Sequence, residues 1–172
     1  TDGIGHVEFG PAEEFSYEAQ FVQQLGDALE TAQLIKERLD RPGKLNALEM
    51  NITERHAKVV HSFLDQHGLD ACDIDIIGFH GQTVIHRPDL GFTVQLGDGD
   101  ALAQLTGIPV MWDLRSNDMK NGGQGAPLAP VYHSALAKKS FDGKTRAFVN
   151  IGGISNVSFT SPNHAPIAFD CG

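Results

Sequence analysis

The spacing of apolar residues divides the chain into alternating helical and extended segments. In residues 20–40, apolar side chains recur every three or four positions, which predicts an amphipathic helix that ends before Pro42. A second helix is predicted to begin with Asn51 as its N-cap, supported by Glu54 three positions later, and to end at Gly68. The side chains expected to be buried on these two helices are Phe21, Leu25, Ala28, Ala32, Ile35, Leu39, Ala57, Val60 and Leu64.

Short apolar runs, several of them rich in β-branched residues, predict the strands. Further helices are predicted over residues 98–106 and from Pro127 to about Lys139, whereas the glycine-rich residues 113–126 predict a loop. The alternation of strands and helices predicts an α/β layered fold with a mixed sheet and flanking helices. The predicted strands are residues 74–79, 92–96, 108–112, 146–150, 157–160 and 167–170.

Composition is typical of a globular protein with one core. The 172 residues are 41% hydrophobic and 20% charged, with a formal net charge of −9, and this acidic balance argues against a nucleic-acid partner. No apolar run approaches the roughly 20 residues that span a bilayer, and the N-terminus lacks the features of a signal peptide. We therefore expect a cytoplasmic protein without a membrane contact. Two cysteines without metal-ligand spacing predict neither a disulfide framework nor a zinc site.

Four polar, glycine-containing segments directly follow predicted strands. In α/β sheets, ligands bind at the carboxyl ends of strands, so we expect one site lined by several of these segments. The segments are residues 78–83, 115–125, 150–156 and 170–172.

Each candidate residue in these segments also has a plain structural explanation. Gly152 and Gly153 fit a hairpin turn as well as a backbone cradle for phosphate. His80 fits a structural histidine, and Arg115 fits either a surface cation or a clamp for a carboxylate. Asp170 ends an apolar strand and fits either a general base or a helix N-cap. The patterns alone leave these alternatives open.

Motifs of several common enzyme classes are absent. The eight histidines show no metal-ligand spacing, so we predict no metal held directly by the chain, and there is no nucleophile elbow or P-loop motif. A glycoside hydrolase would need a second carboxylate suitably spaced from Asp170. The candidates for that second carboxylate are Asp98, Asp100, Asp113 and Asp118.

Five motifs occur together in a fixed order and span most of the chain from residue 74 onward. In this combination they resemble the anhydro-N-acetylmuramic acid kinases, although each motif alone is weak. The motifs are IGFHGQTVIHRP (residues 77–88), VQLGDG (94–99), GGQGAPL (122–128), NIGGISNV (150–157) and FDCG (169–172).

The resemblance implies a ribonuclease H-like, actin-like ATPase fold, as in sugar kinases and heat-shock chaperones, with two lobes that close over ATP. It implies a kinase that opens 1,6-anhydro-N-acetylmuramic acid with water and phosphorylates O6, giving N-acetylmuramic acid 6-phosphate in peptidoglycan recycling. The implied cofactors are ATP and the Mg²⁺ carried with it. The implied partners are the small-molecule sugar, ATP and a second copy in a homodimer.

The resemblance also implies roles for individual residues. Asp170 matches the family's base, which activates the attacking water, and Gln82, Thr83 and Arg115 match positions expected to bind the sugar. The residues implied to bind ATP are Thr1, Asp2, Gly3, Ile4, Gly152 and Gly153.

The two ends of the chain depart from the family pattern. Residues 1–4 match only part of the expected phosphate loop, and Gly5 stands where an aspartate is usual. We therefore expect residues 1–172 to be the substrate-side, N-terminal lobe of a two-lobed kinase, lacking the first strand and the C-terminal lobe. Little turnover is expected from one lobe, because a single lobe cannot close around the reactants. The alternative is a non-catalytic actin-like module that binds sugar or nucleotide and signals through a partner.

Overall fold

The computed structural model describes residues 7–139, 143–151 and 155–171, which form a mixed α/β structure of helices and small sheets. The chain divides into two compact units. The first unit is Pro11–Gly125, and the second takes its described residues from 7–10 and 126–171. The elements are α1 (Ala19–Ala32), α2 (Leu45–His67), β1 (Ile77–Gly78), β2 (Gln82–Arg87), β3 (Phe92–Leu96), α3 (Gly99–Thr106), β4 (Val110–Met111), α4 (Leu114–Lys120), α5 (Pro130–Lys139), β5 (Arg146–Asn150), β6 (Asn156–Ser161) and β7 (His164–Asp170). None of the helices in these ranges is long and apolar enough to cross a membrane.

The described strands form three small sheets instead of the single mixed sheet predicted. In the first unit, β1 pairs with β4 in parallel, and β2 pairs with β3 antiparallel. In the second unit, β5, β6 and β7 form an antiparallel sheet in that order. The strands predicted at residues 74–79 and 108–112 are six and five residues long, but only two residue pairs join β1 to β4. A local apolar run does not determine how long a strand becomes, because pairing depends on partners elsewhere in the chain.

The core of the first unit lies between α1, α2 and the β2–β3 hairpin. Most of the side chains predicted to be buried on the two helices are indeed in this core, while Leu25 and Val60 are partly exposed. The buried cluster includes Phe21, Ala28, Ala32, Ile35, Leu45, Ile52, Ala57, Val84, Val94, Leu96 and Leu102.

Helix α1 is shorter than predicted. It ends at Ala32, and Leu39 is 78% exposed, so the prediction that this residue is buried is wrong. The carboxylate of Asp40 accepts hydrogen bonds from the backbone N–H groups of Lys36 (3.0 Å) and Glu37 (2.9 Å). A side chain that binds backbone groups in this way competes with helix hydrogen bonds, so the helix does not continue through residues 36 and 37. The same two bonds, led by that from Glu37, hold the pKa of the Asp40 carboxyl below its usual value.

Helix α2 begins earlier than predicted but ends as predicted. Its first residue is Leu45, so Asn51 lies inside the helix, where its Oδ1 accepts a hydrogen bond from Arg55 Nε at 2.7 Å. The predicted N-cap at Asn51 is therefore wrong. The side-chain amide of Asn51 instead forms a hydrogen bond with a residue four positions later on the same helix face. Gly68 is the left-handed C-cap, with φ 61°, which confirms the predicted end.

Several of the remaining boundaries match the sequence prediction. Strands β3 and β5 have the predicted bounds, β6 is one residue longer at each end, and β7 begins three residues early. Helix α3 begins one residue after the predicted Asp98, which is its N-cap, and ends as predicted at Thr106. The prediction missed β2 and the short helix α4, which lies in the segment predicted as a loop. Helix α5 begins at Pro130, three residues after the predicted Pro127.

The sheet of the second unit has one covered face and one exposed apolar face. Helix α5 packs on the covered face, where the ring of His133 stacks on Phe148 at 4.6 Å and its Nδ1 lies 3.0 Å from Ser158 Oγ. Because side chains alternate along a strand, the neighbouring positions face the other way. Those exposed apolar residues are Val149, Phe159, Ile167 and Phe169.

Candidate functional site

The carboxyl ends of β1 and β4 meet at one edge in the first unit. The two strands are parallel, with Ile77 opposite Val110 and Gly78 opposite Met111. His80 follows the first strand and Asp113 follows the second, so two of the four polar segments predicted to bind ligand leave the sheet side by side. The other two segments belong to the second unit.

A cavity of about 280 Å³ lies at this edge. Sequence reasoning missed most of its lining residues, since they are far apart in the chain and form no local motif. Arg41 and Glu49 form a bidentate ion pair across the lining, with both N–O distances 2.8 Å, and Glu49 also accepts from the backbone N–H of Gly97 at 3.1 Å. Polar and aromatic lining residues include Arg38, Arg41, Glu49, His80, Gln95, Trp112 and Asp113.

Asp113 connects this cavity to helix α4. It is the N-cap of α4 and has φ 52° and ψ 42°, a left-handed conformation that is uncommon for a residue other than glycine. Its carboxylate accepts from Arg38 Nη1 at 2.5 Å and from Ser116 Oγ at 2.6 Å. These contacts fix the start of the short helix that carries Arg115, and they assign a structural role to a carboxylate considered for a glycoside hydrolase.

Arg115 is half-buried and held by two polar contacts within the first unit. Its Nη1 donates to the backbone oxygen of Gly125 at 3.1 Å, and its Nη2 lies 3.1 Å from His80 Nε2. Of the two alternatives for Arg115, an ordinary surface cation does not fit a guanidinium that is half-buried and held by these contacts. The arrangement is suited to binding an anion, because a planar guanidinium whose orientation is fixed presents its donors in a defined plane.

The glycines near Arg115 are required by close packing. Gly125 has φ 70°, and a Cβ at this position would lie 2.9 Å from the side chain of Met119. Its backbone N–H donates to Asp118 Oδ2 at 2.8 Å. A Cβ on Gly123 would meet the same carboxylate at 2.1 Å. The segment thus folds around Asp118, which explains two glycines of the GGQGAPL motif by steric necessity.

Gln82 and Thr83 lie within strand β2 and not in a loop after a strand. Gln82 pairs in register with Leu96, and Thr83 pairs with Gln95 of β3. Gln82 Nε2 lies 3.4 Å from the backbone oxygen of Thr83, and Gln95 Nε2 donates to Thr83 Oγ1 at 3.4 Å. Both predicted sugar-binding side chains are half-buried, and these contacts orient them along the hairpin.

In the second unit, the register of the sheet aligns three polar residues. Asn150 of β5 pairs with Asn156 of β6, which pairs with Asp170 of β7. The backbone N–H of Cys171 donates to the oxygen of Ser155 at 2.8 Å, which extends this pairing beyond Asp170. Because β5 and β7 are both antiparallel to β6, their carboxyl ends lie at the same edge.

All six residues predicted to bind the nucleotide lie outside the described residues. They are Thr1, Asp2, Gly3, Ile4, Gly152 and Gly153. Strands β5 and β6 are consecutive and antiparallel, as the hairpin interpretation of the segment between them requires. Among the described side chains, no group of three or more His, Cys, Asp or Glu could hold a metal ion.

The first unit belongs to a broad class of α/β proteins in which parallel strands end at a polar cavity. Comparison with known sequences narrows this class. The sequence model of the family "Anhydro-N-acetylmuramic acid kinase" matches residues 11–172, nearly the whole chain, and the chain belongs to this family.

Curated relatives carry the same name. The chain is 50% identical over 173 residues to an anhydro-N-acetylmuramic acid kinase of Rhizobium etli and 52% identical over 174 residues to one of Agrobacterium fabrum. It is 49% identical over 175 residues to one of Brucella canis. Each match covers 100% of this chain and 47% of the relative, so the chain spans about half the length of the curated relatives that it matches.

Proposed function

We propose that this chain supplies the sugar-binding part of an ATP-dependent kinase that acts on 1,6-anhydro-N-acetylmuramic acid. The observation that carries the proposal is the family match over residues 11–172, together with about 50% identity to kinases of that name. The proposal includes the actin-like ATPase fold of sugar kinases, a cytoplasmic location, a homodimer and a place in peptidoglycan recycling. It also includes the assignment of residues 1–172 to the substrate-side lobe.

The proposed reaction joins a hydrolysis to a phosphoryl transfer. Water adds to the anomeric carbon, the bond from that carbon to O6 breaks, and O6 takes the γ-phosphoryl group. Asp170 accepts the proton of the attacking water as general base. Bound ATP supplies the phosphoryl group, and the Mg²⁺ bound with it neutralises negative charge on the phosphates. ADP is the leaving group, Asp170 later releases its proton to solvent, and the sugar product is N-acetylmuramic acid 6-phosphate.

The contacts in the first unit support a sugar-binding role. The sugar carries a carboxylate on its lactyl group, and the fork of Arg115, oriented by Gly125 and His80, matches a planar anion. Gln82 and Thr83, which hydrogen bonds orient on β2, supply neutral polar groups for hydroxyl and acetamido groups.

The nucleotide assignments stay predictions. Thr1, Asp2, Gly3 and Ile4 are proposed to contact ATP phosphates, as are Gly152 and Gly153. Support comes from the strand pairing of Asn150 with Asn156, which brings together the two residues that flank the glycine segment. Successive backbone N–H groups in such a segment bind phosphate oxygens in many proteins.

A direct assay of product formation by the complete gene product tests the proposal. The protein is incubated with ATP, Mg²⁺ and 1,6-anhydro-N-acetylmuramic acid, and the sugar phosphate is measured by mass spectrometry. We expect a product that requires all three components and incorporates oxygen from ¹⁸O-labelled water at the anomeric carbon. Binding of the sugar without any product would contradict the kinase proposal and favour a non-catalytic binding module. The 172-residue chain, assayed in parallel, is expected to bind sugar with little turnover.

A further inference from the structure

The two ring nitrogens of His80 face partners of opposite character. Nδ1 lies 2.8 Å from the backbone oxygen of Gly81, and Nε2 lies 3.1 Å from Arg115 Nη2. A carbonyl oxygen only accepts hydrogen bonds, and a guanidinium only donates them. Both contacts are therefore satisfied by a single form of the ring, the neutral tautomer with its proton on Nδ1 and a lone pair on Nε2.

The second terminal nitrogen of Arg115 is fixed independently. Nη1 donates to the oxygen of Gly125, whose own N–H is held by Asp118 Oδ2 at 2.8 Å. The packing of Gly125 against Met119 leaves no space for a Cβ, so this carbonyl has little freedom to move. Acceptors at both terminal nitrogens fix the plane of the guanidinium as well as its position.

We propose that His80 is a positioning residue that orients Arg115 for a carboxylate ligand. The inference rests on the proposed function, in which Arg115 binds the lactyl carboxylate of the sugar. A neutral imidazole acceptor orients the guanidinium without reducing its positive charge, whereas a carboxylate in the same place would compete with the ligand. Preorganisation of this kind lowers the entropic cost of binding.

A spectroscopic measurement on the 172-residue chain tests the tautomer directly. Long-range ¹H–¹⁵N correlation spectra at mildly alkaline pH report which ring nitrogen carries the proton, and the His80 signals are assigned by their loss in His80→Phe. We expect the Nδ1–H form in the unsubstituted chain and a shift toward the Nε2–H form in Arg115→Ala. An Nε2–H ring in the unsubstituted chain would overturn the inference.

Binding measurements with the complete gene product test the consequence. The two probes are 1,6-anhydro-N-acetylmuramic acid and the same bicyclic sugar without its lactyl carboxylate. In His80→Phe we expect the dissociation constant of the acidic sugar to rise about tenfold, the effect of one lost charge-assisted hydrogen bond, with little change for the neutral sugar. His80→Gln places an amide oxygen near the position of Nε2 and is expected to restore most of the affinity.

Two further variants separate the possible failures. His61→Phe removes another exposed histidine of the first unit, which contacts only the oxygen of Leu105 among its described hydrogen-bond partners, and should change neither affinity. If Arg115→Ala weakens binding of the acidic sugar and His80→Phe does not, only the positioning role is overturned. If Arg115→Ala has no effect, the proposed carboxylate site fails, and the role of His80 fails with it.

Discussion

Asp170 on β7 is the register partner of Asn156 on β6, and the other neighbour of Asn156 across the sheet is Asn150. Neighbouring strands lie about 5 Å apart, so the backbone of the proposed base is about 5 Å from Asn156 and about 10 Å from Asn150, the two residues that flank the glycine segment proposed for phosphate. Residues far apart in the sequence are thus aligned by the antiparallel pairing of three strands.

Replacing the proposed base tests its catalytic role. Asp170→Asn in the complete gene product is expected to lower kcat by at least about 100-fold, the lower range for loss of a general base, with a small change in sugar affinity. Product formation and calorimetric binding are the measurements, and Asp75→Asn is the control, because Asp75 is an exposed carboxylate of the first unit. A parallel loss of turnover and binding would indicate that Asp170 is structural.

The Arg41–Glu49 pair is expected to stabilise the first unit. Its side chains are only 16% and 13% exposed, and Glu49 also accepts from the N–H of Gly97. Glu49→Ala should lower the free energy of unfolding in urea by about 2–3 kcal/mol, because it leaves a largely buried guanidinium without this partner. Glu54→Ala, at an exposed position of the same helix, should change it by less than about 0.5 kcal/mol. Equal effects of the two substitutions would contradict the prediction.

The capping contacts of Asp40 predict a pH dependence at the acid end. The backbone N–H of Glu37, and then that of Lys36, hold the pKa of the carboxyl below its value in the unfolded chain. A lowered native pKa stabilises the fold above the unfolded pKa of about 3.9, and this contribution is lost as pH falls through the native pKa. Carboxyl ¹³C titration by NMR should give a lower midpoint for Asp40 in the native chain than in the urea-unfolded chain. Identical midpoints would show that the caps do not form.

Substitution of three glycines separates steric from conformational strain. Gly125→Ala combines φ 70° with a clash against Met119 and should lower the free energy of unfolding by about 2–3 kcal/mol. Gly122→Ala has φ 87° but an open environment, so a loss of about 1 kcal/mol is expected. Gly26 is an exposed residue of α1 with no atom near the position of a new Cβ, so Gly26→Ala should raise stability by about 0.5–1 kcal/mol. Thermal and urea unfolding of the 172-residue chain give these values, and a different rank order would contradict the packing at Gly125.

Local sequence patterns predicted the elements whose stability depends on local features. The left-handed Gly68, the bounds of β3 and the end of α3 at Thr106 all appear in the structure where they were predicted. Elements that depend on distant partners were predicted poorly. The prediction missed strand β2, which forms by pairing with β3. It also placed an N-cap at Asn51, whose side chain instead accepts a hydrogen bond from Arg55 inside the helix.

In the candidate site, too, some features were predicted from the sequence and others were not. Arg115, Gln82, Thr83 and Asp170 were identified from the sequence through motifs near the predicted strand ends, and their roles stay predictions. The sequence did not indicate the contact between His80 and Arg115 or the pair formed by Arg41 and Glu49. No local pattern marks such pairs, because their members lie in different segments of the chain.

By itself, the sequence determined that the protein is of the α/β class, the family to which the chain belongs and the polar residues that carry its motifs. All three can be read from residue types and from spacings of a few positions, because local structural propensity and family motifs depend on neighbouring residues. Only the tertiary structure decided that Arg115 meets His80, that Asp170 aligns with Asn156, and that a cavity forms where β1 and β4 end. These depend on strand pairing and packing between distant segments, whose free energy arises only when the chain has folded.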